Sequence, residues 1–368
     1  MPGIDRRLIQ HFEWPLFGMA LLLGVIGVVN LISAAPGSGA GIPPTAWRQL
    51  LWLGVGLALL LACLVPDYRI LERLAIPAYV VCIAALIAVL FFGPIINGTQ
   101  RWLPIFGLRV QPSEITKVAV FLVLARALQR HSSNREIGLP DLLGPLALVA
   151  LPAILILRQP DLGTAMLIVL VAGSYLLVSP TPARLLTSLG VGALAVAAAG
   201  WFFVLRDYQK ERILTFLDPE QDPLGAAYHS IQSQIAVGSG GLFGRGFLQG
   251  PQSQLDFLPE QQTDFVFSVL GEEWGFLGAC FVLALYLGVM IRGLMIAHAS
   301  KDQYGAYLVF GVVALFFWPI AVNVAMVLNL FPVVGISLPM LSYGGSSLLT
   351  CMIAVGLAMN VSMRRYVF

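Results

Sequence analysis

Residues 256–291 read DFLPEQQTDFVFSVLGEEWGFLGACFVLALYLGVMI, a stretch that passes from acidic to strongly apolar. The run from Val266 to Ile291 is long enough to cross a bilayer, because a hydrocarbon core of about 30 Å needs about 20 apolar residues. No Lys or Arg occurs between Arg245 and Arg292. The stretch therefore predicts a membrane helix with five acids before it and in its first turns, and no basic partner in the local sequence. These acids are Asp256, Glu260, Asp264, Glu272 and Glu273.

The whole chain has the composition of an integral membrane protein. Of its 368 residues, 58% are hydrophobic and 11% are charged, and the mean hydropathy is +0.86. A soluble domain is about 45–50% apolar and about 25% charged, so this chain has too little polar surface to cover a water-soluble body. The net charge of +2 gives no indication of nucleic-acid binding. The four cysteines fall in apolar runs without metal or disulfide spacing.

The apolar segments predict an all-α polytopic membrane protein with about ten transmembrane helices, forming a single domain over residues 1–368. An even number of spans places both termini on one side. The short loops of that side carry most of the Arg and Lys, so the positive-inside rule predicts cytoplasmic termini. The predicted spans are residues 15–34, 48–65, 76–93, 114–130, 142–158, 164–179, 183–204, 266–291, 304–329 and 344–363.

The connection between the seventh and eighth spans, residues 205–265, is the longest and is predicted to be extracytoplasmic. Structureless loops longer than about 12–15 residues are uncommon unless they are functional or disordered. The middle of this one is too apolar for a solvated linker. Residues 231–236 (IQSQIA) have the pattern of a short amphipathic helix on the membrane surface.

Ionisable residues near membrane helices are functional candidates, since each charge at membrane depth costs about 2.5 kcal/mol or more. Glu114 and Lys117, spaced i, i+3, can form a structural ion pair, or Lys117 can hold a phosphate. In RQPDLGT (158–164), Asp161 can cap the following helix, and Arg158 can serve that cap or an anionic ligand.

Asp264 carries two interpretations. Thr263 or Asp264 can simply be the N-cap of the eighth span. Alternatively, Asp264 and Glu272, which lies two turns deeper on about the same helix face, are expected to line one cavity. Apolar walls raise the pKa of a carboxyl group, which suits a general base.

A further interruption of the helical pattern lies in LPMLSYGGSS (338–347). Pro339 and the Gly344–Gly345 pair predict unwound backbone, which membrane proteins tolerate where it lines a cavity or lies inside the protein. Ser342, Tyr343 and Ser346 offer hydroxyl groups there. The four histidines are scattered, so no metal site is predicted.

Four blocks of the chain resemble the SEDS family (shape, elongation, division and sporulation). They are residues 97–117 (NGTQRWLPIFGLRVQPSEITK), 158–165 (RQPDLGTA), 222–275 and 332–349 (PVVGISLPMLSYGGSSLL). The resemblance implies a peptidoglycan glycosyltransferase that polymerises lipid II on the outer, periplasmic face of the cytoplasmic (inner) membrane. It also implies a class B penicillin-binding protein as partner. Asp264, in the TDF motif, corresponds to the family's essential acid. One departure is Gln262, where a histidine commonly precedes TDF.

The mechanism expected from this resemblance makes Asp264 the general base on the 4-hydroxyl of the acceptor GlcNAc. Undecaprenyl pyrophosphate leaves from the donor glycan, and this chemistry calls for no cofactor, although a divalent cation is left open. Glu114 and Lys117 correspond to family positions that are structural or line the pocket, and Arg109 and Arg212 are further basic residues on the outer side. The residues predicted to bind substrate are Arg101, Trp102, Glu114, Lys117, Gln159, Asp161, Arg206, Lys210, Gln232, Ser233, Ser342, Tyr343 and Ser346.

Two other functions fit the same pattern. A lipid II flippase would also have about ten spans and intramembrane acids, but a transporter places its coupling acids near the bilayer midplane. Asp264 is predicted at the outer boundary, whereas Glu272 and Glu273 keep the transporter interpretation open. A noncatalytic scaffold of the elongation complex is the third interpretation.

Overall fold

A computed structural model describes residues 11–35, 42–96, 99–105, 108–130, 136–203, 205–218, 227–255, 257–258 and 260–365. The described part of the chain contains thirteen α-helices and one two-stranded antiparallel hairpin. The fold is therefore almost entirely helical, as the sequence predicts.

Ten long helices coincide with the ten predicted spans. They are α1 (Trp14–Ser33), α2 (Pro44–Leu64), α3 (Tyr68–Phe92), α4 (Pro112–Gln129), α5 (Leu139–Arg158), α6 (Leu162–Val178), α7 (Ala183–Phe203), α11 (Val266–His298), α12 (Gln303–Val327) and α13 (Gly345–Arg364). The shorter elements are β1 (Leu103–Ile105), β2 (Leu108–Val110), α8 (Asp207–Leu217), α9 (Tyr228–Ser239) and α10 (Pro251–Gln254).

Eight of the helices in the described residues are long and apolar enough to cross a bilayer. Helix α6 is apolar but has only 17 residues, and α4 carries Glu114, Lys117 and Arg126. The chain is thus a multi-pass membrane protein, and the number of ten spans stays a prediction.

Helices α12 and α13 form the centre of the bundle. Helix α13 packs along α2, and α12 packs along α11 and α4. Gly356 of α13 allows a close approach, because a Cβ at this position would lie 2.8 Å from the Leu60 carbonyl oxygen of α2. Small residues commonly permit such contacts between membrane helices.

Helix α7 is the opposite case. None of its residues 183–203, all of which the structure describes, is buried. Leu185 and Leu189 near its first turns touch the core, and most of the other residues of the helix are exposed. The helix leads into α8, which carries Arg206 at its N-cap and Arg212 in its body.

The segment between α7 and α11 is folded, at least in its described residues. The predicted amphipathic helix of residues 231–236 lies within α9, whose Ser233 and Ala236 are buried in the packing against α11 and α12. Helix α11 is interrupted at Gly275, where φ is +68°. The backbone N–H groups of Phe276 and Leu277 donate to the carbonyls of Gly241 and Leu242, at 2.9 and 3.1 Å. A loop of the segment between α7 and α11 is therefore built into the break in α11.

Candidate active site

A cavity of about 770 Å³ opens where four connections meet at one end of the bundle. These connections join α3 to α4, α5 to α6, α7 to α11, and α12 to α13. Nine of the predicted site residues line this cavity: Arg101, Trp102, Glu114, Lys117, Asp161, Arg206, Asp264, Tyr343 and Ser346. Residues far apart in the sequence are thus brought together at one place.

Asp264 lies half-buried in the cavity wall, just before α11. The capping interpretation of Thr263 and Asp264 is wrong, because the N-cap of α11 is Phe265 and no side chain caps this helix. The Thr263 hydroxyl instead donates to the Glu260 carboxylate at 3.1 Å. The Asp264 carboxyl group is therefore not occupied by the helix terminus that follows it.

The surroundings of Asp264 make its carboxyl group harder to ionise. Burial raises its pKa to about 6, and the nearby negative charge of Glu260 acts in the same direction. Arg212 and Arg101 lower the pKa and partly offset this rise. A carboxyl group with a pKa close to neutral is well suited to accept a proton in a reaction.

Basic side chains stand on two sides of the cavity. Arg101, in the connection before β1, donates to the Pro160 carbonyl oxygen and lies 3.8 Å from the Asp161 carboxylate. Arg206 and Arg212 reach the cavity from α8, and Arg212 also donates to the Val333 carbonyl oxygen at 3.1 Å. Guanidinium groups match the geometry of phosphate oxygens, so this lining is suited to a phosphorylated ligand.

Asp161 is the N-cap of α6, as the sequence predicts. Its carboxylate accepts from the Thr164 N–H at 3.1 Å and from the Thr164 hydroxyl at 3.0 Å. Gln111 also donates to it, at 3.3 Å. The same group lines the cavity, so capping and a place in the site are both realised.

Glu114 and Lys117 form the predicted ion pair, with 2.9 Å between Lys117 Nζ and Glu114 Oε1. Both side chains are buried at the cavity lining. Glu114 Oε2 has no hydrogen-bond partner among the described residues. The pair therefore adds one positive and one negative group to the cavity wall.

Five predicted substrate-binding residues lie outside the cavity lining: Gln159, Lys210, Gln232, Ser233 and Ser342. Gln159 is buried and donates to the Leu86 carbonyl oxygen at 2.9 Å, tying α5 to α3. Ser233 contacts the Ser268 hydroxyl at 2.9 Å and donates to the Val327 carbonyl oxygen. Ser342 donates to the Thr263 carbonyl oxygen at 2.5 Å. These three side chains join segments of the protein and do not face the cavity.

The expectation that Glu272 shares a cavity with Asp264 is wrong. Glu272 is fully buried and accepts the backbone N–H groups of Gln252 and Ser253, at 2.8 and 3.1 Å. Glu273 accepts from the Ser33 hydroxyl and from the Leu248 N–H. The two acids hold residues 248–253 against α11, and Glu273 also ties α1 to α11. The helical spacing alone does not reveal these contacts.

Sequence reasoning did not identify Gln111, Thr164 and Asn323. Gln111 and Thr164 line the cavity, and Asn323 donates a hydrogen bond to the backbone carbonyl of Asp264 in its lining. The signal for Asn323 was available, because a side-chain amide in an apolar span is costly unless it is paired. No group of three or more His, Cys, Asp or Glu residues in the described ranges has an arrangement that could hold a metal ion.

Comparison with known proteins identifies the relatives of this chain. The family model for FtsW, RodA and SpoVE, described as "Cell cycle protein", matches residues 13–367. The chain is 41% identical over 357 residues to the peptidoglycan glycosyltransferase MrdB of Escherichia coli K12, covering 95% of this chain and 94% of that protein. It is 33% identical to the peptidoglycan glycosyltransferase RodA of Treponema pallidum, with 98% and 99% covered.

Two solved structures are similar over nearly the whole chain. One comes from work on the structural coordination of polymerization and crosslinking by a peptidoglycan synthase complex, with a TM-score of 0.81, 34% identity, and 96% of this chain and 98% of that chain covered. The other is the rod shape determining protein RodA of Thermus thermophilus, with a TM-score of 0.72, 31% identity and the same coverage. The match of the family model and of full-length relatives means that this chain belongs to the FtsW/RodA/SpoVE family, the SEDS family that its motifs resemble.

Proposed function

We propose that this protein is a peptidoglycan glycosyltransferase that polymerises lipid II during cell-wall elongation. The observation that carries the proposal is the half-buried Asp264 carboxyl group in a cavity that also presents Arg101, Arg206 and Arg212. The curated relatives described above are named for this activity. A carboxyl group whose pKa is close to neutral pH, in one cavity with cationic side chains, has the chemistry needed for glycosyl transfer from a pyrophosphate donor.

In the proposed mechanism, Asp264 accepts the proton of the GlcNAc 4-hydroxyl of the acceptor. The oxygen forms a bond to the anomeric carbon of the donor's MurNAc with inversion, and the bond from that carbon to the phosphate oxygen breaks. Undecaprenyl pyrophosphate leaves with the electron pair of that bond. The donor is already activated, so the protein mainly has to orient the reactants, take the proton and balance the charge.

The basic residues serve the leaving group in this proposal. Negative charge develops on the phosphate oxygen that is released from the anomeric carbon as the bond breaks. Arg101, Arg206 and Arg212 are the arginines that line the cavity with Asp264. Lys117 is occupied by Glu114 and is assigned to the structure of the wall. A divalent cation bound to the pyrophosphate is compatible with this arrangement.

The proposal places the protein in the cytoplasmic (inner) membrane, with both termini in the cytoplasm and the cavity facing the periplasm. The distribution of Arg and Lys in the sequence supports this orientation. A class B penicillin-binding protein is the proposed partner, since cross-linking has to follow polymerisation. A similar solved chain, from work on coordinated polymerization and crosslinking, supports this part of the proposal.

The test is polymerisation of labelled lipid II by the purified protein with its penicillin-binding partner. Asp264→Asn should lower the rate by at least about 100-fold, because a positioned general base contributes about 10²–10⁴-fold. Glu211→Gln is the matched control. Glu211 is an exposed acid of α8 outside the cavity lining, and its substitution should leave the rate unchanged.

A near wild-type rate for Asp264→Asn would overturn the assignment of the base. Movement of labelled lipid II across vesicle membranes without any polymer would favour the flippase instead. A normal cell shape with Asp264→Asn as the sole copy would favour the noncatalytic scaffold.

A further inference from the structure

Asn323 is a fully buried amide near the end of α12 that bridges two separate segments of chain. Its Nδ2 donates to the Asp264 carbonyl oxygen at 2.8 Å and to the Ile336 carbonyl oxygen at 2.7 Å. One NH₂ group thus satisfies two backbone acceptors that would be costly to leave unpaired. The bridge joins the strip that carries Asp264 to the irregular segment before α13.

These two segments meet at the Asp264 carboxyl group itself. Gly335, next to Ile336, has φ +73°, and a Cβ added there would lie 3.3 Å from Asp264 Oδ2. The carboxyl group therefore lies against bare backbone. By holding the carbonyl groups of residues 264 and 336 on one amide, Asn323 fixes both the acid and the wall against which it rests.

Ser342 provides a second bridge between the same segments. Its hydroxyl donates to the Thr263 carbonyl oxygen at 2.5 Å and accepts from the Leu338 N–H at 2.7 Å. Gln49, a buried amide of α2, donates in turn to the Ser342 carbonyl oxygen at 3.1 Å. The carbonyl groups of the peptides before and after Asp264 are thus both held to the 336–342 segment, one by Ser342 and the other by Asn323.

We propose that Asn323 is a positioning residue for the transfer reaction, which sets the Asp264 carboxyl group in place by bridging residues 264 and 336. Ser342 supports it from the neighbouring peptide. Neither side chain lines the cavity, so neither is assigned a contact with substrate. The inference rests on the proposed role of Asp264 as base. A displacement of about 1 Å at a catalytic group can cost about 100-fold in rate.

A matched control exists at the other end of the bundle. Asn360 of α13 is also fully buried, and its Nδ2 donates to the carbonyl oxygens of Cys63 and Pro66, at 2.5 and 2.7 Å. Replacing either asparagine by leucine removes the two hydrogen bonds that its Nδ2 donates to backbone carbonyls. Asn360→Leu also removes the bonds that its Oδ1 accepts from the Tyr68 N–H at 3.2 Å and from Arg364 Nη1 at 2.8 Å. The control therefore loses at least as many hydrogen bonds as Asn323→Leu, but none of them holds Asp264.

The experiment compares Asn323→Leu with Asn360→Leu in lipid II polymerisation with the partner protein, over about pH 5 to 8, together with melting temperatures. Both variants should melt lower than wild type. Only Asn323→Leu should lose kcat, by about 10–100-fold, with KM for lipid II within about threefold of wild type. In its profile of rate against pH, the acidic limb is the range in which the rate falls as the Asp264 carboxyl group becomes protonated. This limb should move to lower pH in Asn323→Leu, because a displaced carboxyl group gains water. The inference would be overturned if Asn323→Leu kept the wild-type kcat and the wild-type position of the acidic limb. It would also be overturned if both variants showed the same changes.

Ser342→Ala decides the question if Asn323→Leu does not fold. It deletes only one hydroxyl group, and it should lower kcat several-fold with the same shift of the acidic limb; an unchanged kcat and limb would refute the inference. Asp264→Asn distinguishes a failure of the positioning inference from a failure of the proposed base. If Asp264→Asn is inactive while Asn323→Leu and Ser342→Ala are normal, only the positioning inference fails. If Asp264→Asn is active, the proposed base fails first and the positioning role fails with it.

Discussion

Asp264 and the pair Glu272–Glu273 are close in the sequence, but their surroundings differ completely. Glu272 receives two backbone N–H groups, and Glu273 receives a hydroxyl and a backbone N–H. Asp264 faces a cavity, and its backbone carbonyl, not its carboxyl group, accepts the hydrogen bond from the Asn323 amide. The difference shows that acids close together in the sequence can either bind backbone groups or face a cavity, depending on which partners the fold brings near.

The charges around the two sites differ in the same way. Arg101 and Arg212 act on Asp264 and lower its pKa, while burial and Glu260 raise it. Around Glu272 the neighbours in contact are the N–H groups of α10, which follows Gly250, where an added Cβ would clash with the Glu272 carboxylate. One site combines opposing charges around an accessible acid, and the other is closed by backbone.

The largest difference should appear in stability, with opposite signs at the two sites. Glu272→Gln leaves one buried N–H of residues 252–253 facing an NH₂ group, so the protein should lose about 1–3 kcal/mol. Asp264→Asn should instead stabilise the protein at neutral pH. The pKa of Asp264 is raised to about 6 in the folded state, so its ionisation opposes folding, and stability is lost as the pH rises from about 4 through 6.

Melting temperatures of both variants at about pH 7.5 and about pH 4 measure this difference. Most of the gain with Asp264→Asn should be lost at the lower pH, because the carboxyl group is then protonated in the folded protein and about half protonated in the unfolded protein. A loss of stability with Asp264→Asn at neutral pH, similar to that with Glu272→Gln, would mean that both acids are structural.

The sequence allowed the simpler half of this comparison to be predicted. The helices follow from apolar length, and local spacing gave the cap at Asp161 and the pair of Glu114 with Lys117. The use of Glu272 and the bridge from Asn323 depend on partners that only the folded chain brings near. Asn323 contacts a backbone group 59 residues away, and no periodicity in the sequence reports such a contact.

The pH dependence of the rate provides the second way to test the contrast. As the proposed base, Asp264 would have to be ionised to accept a proton, and its pKa is raised to about 6. The rate should therefore fall about tenfold for each pH unit below that value and become level above it. The Glu272→Gln variant should keep this limb, since Glu272 lies outside the cavity lining. A limb near pH 4, or one that shifts with Glu272→Gln, would contradict the assignment.

The smallest effect concerns the cations around Asp264. Arg212 lowers the pKa of Asp264, so Arg212→Gln should move the acidic limb to higher pH, by less than about one unit because exposed charges interact weakly. The control is Arg245→Gln. Arg245 is also exposed, donates to the Ser239 carbonyl oxygen at 3.0 Å and lies outside the cavity lining.

Profiles of rate against pH for these two arginine variants separate a local effect from a general one. Both substitutions remove one positive charge from the same connection between α7 and α11, so a change in overall charge would move both limbs equally. A shift of the limb with Arg212→Gln alone would mean that the Arg212 charge acts locally on the Asp264 carboxyl group. Equal shifts, or none, would remove Arg212 from the set of groups that tune Asp264 and leave Arg101 as the cation of the pair that acts on it.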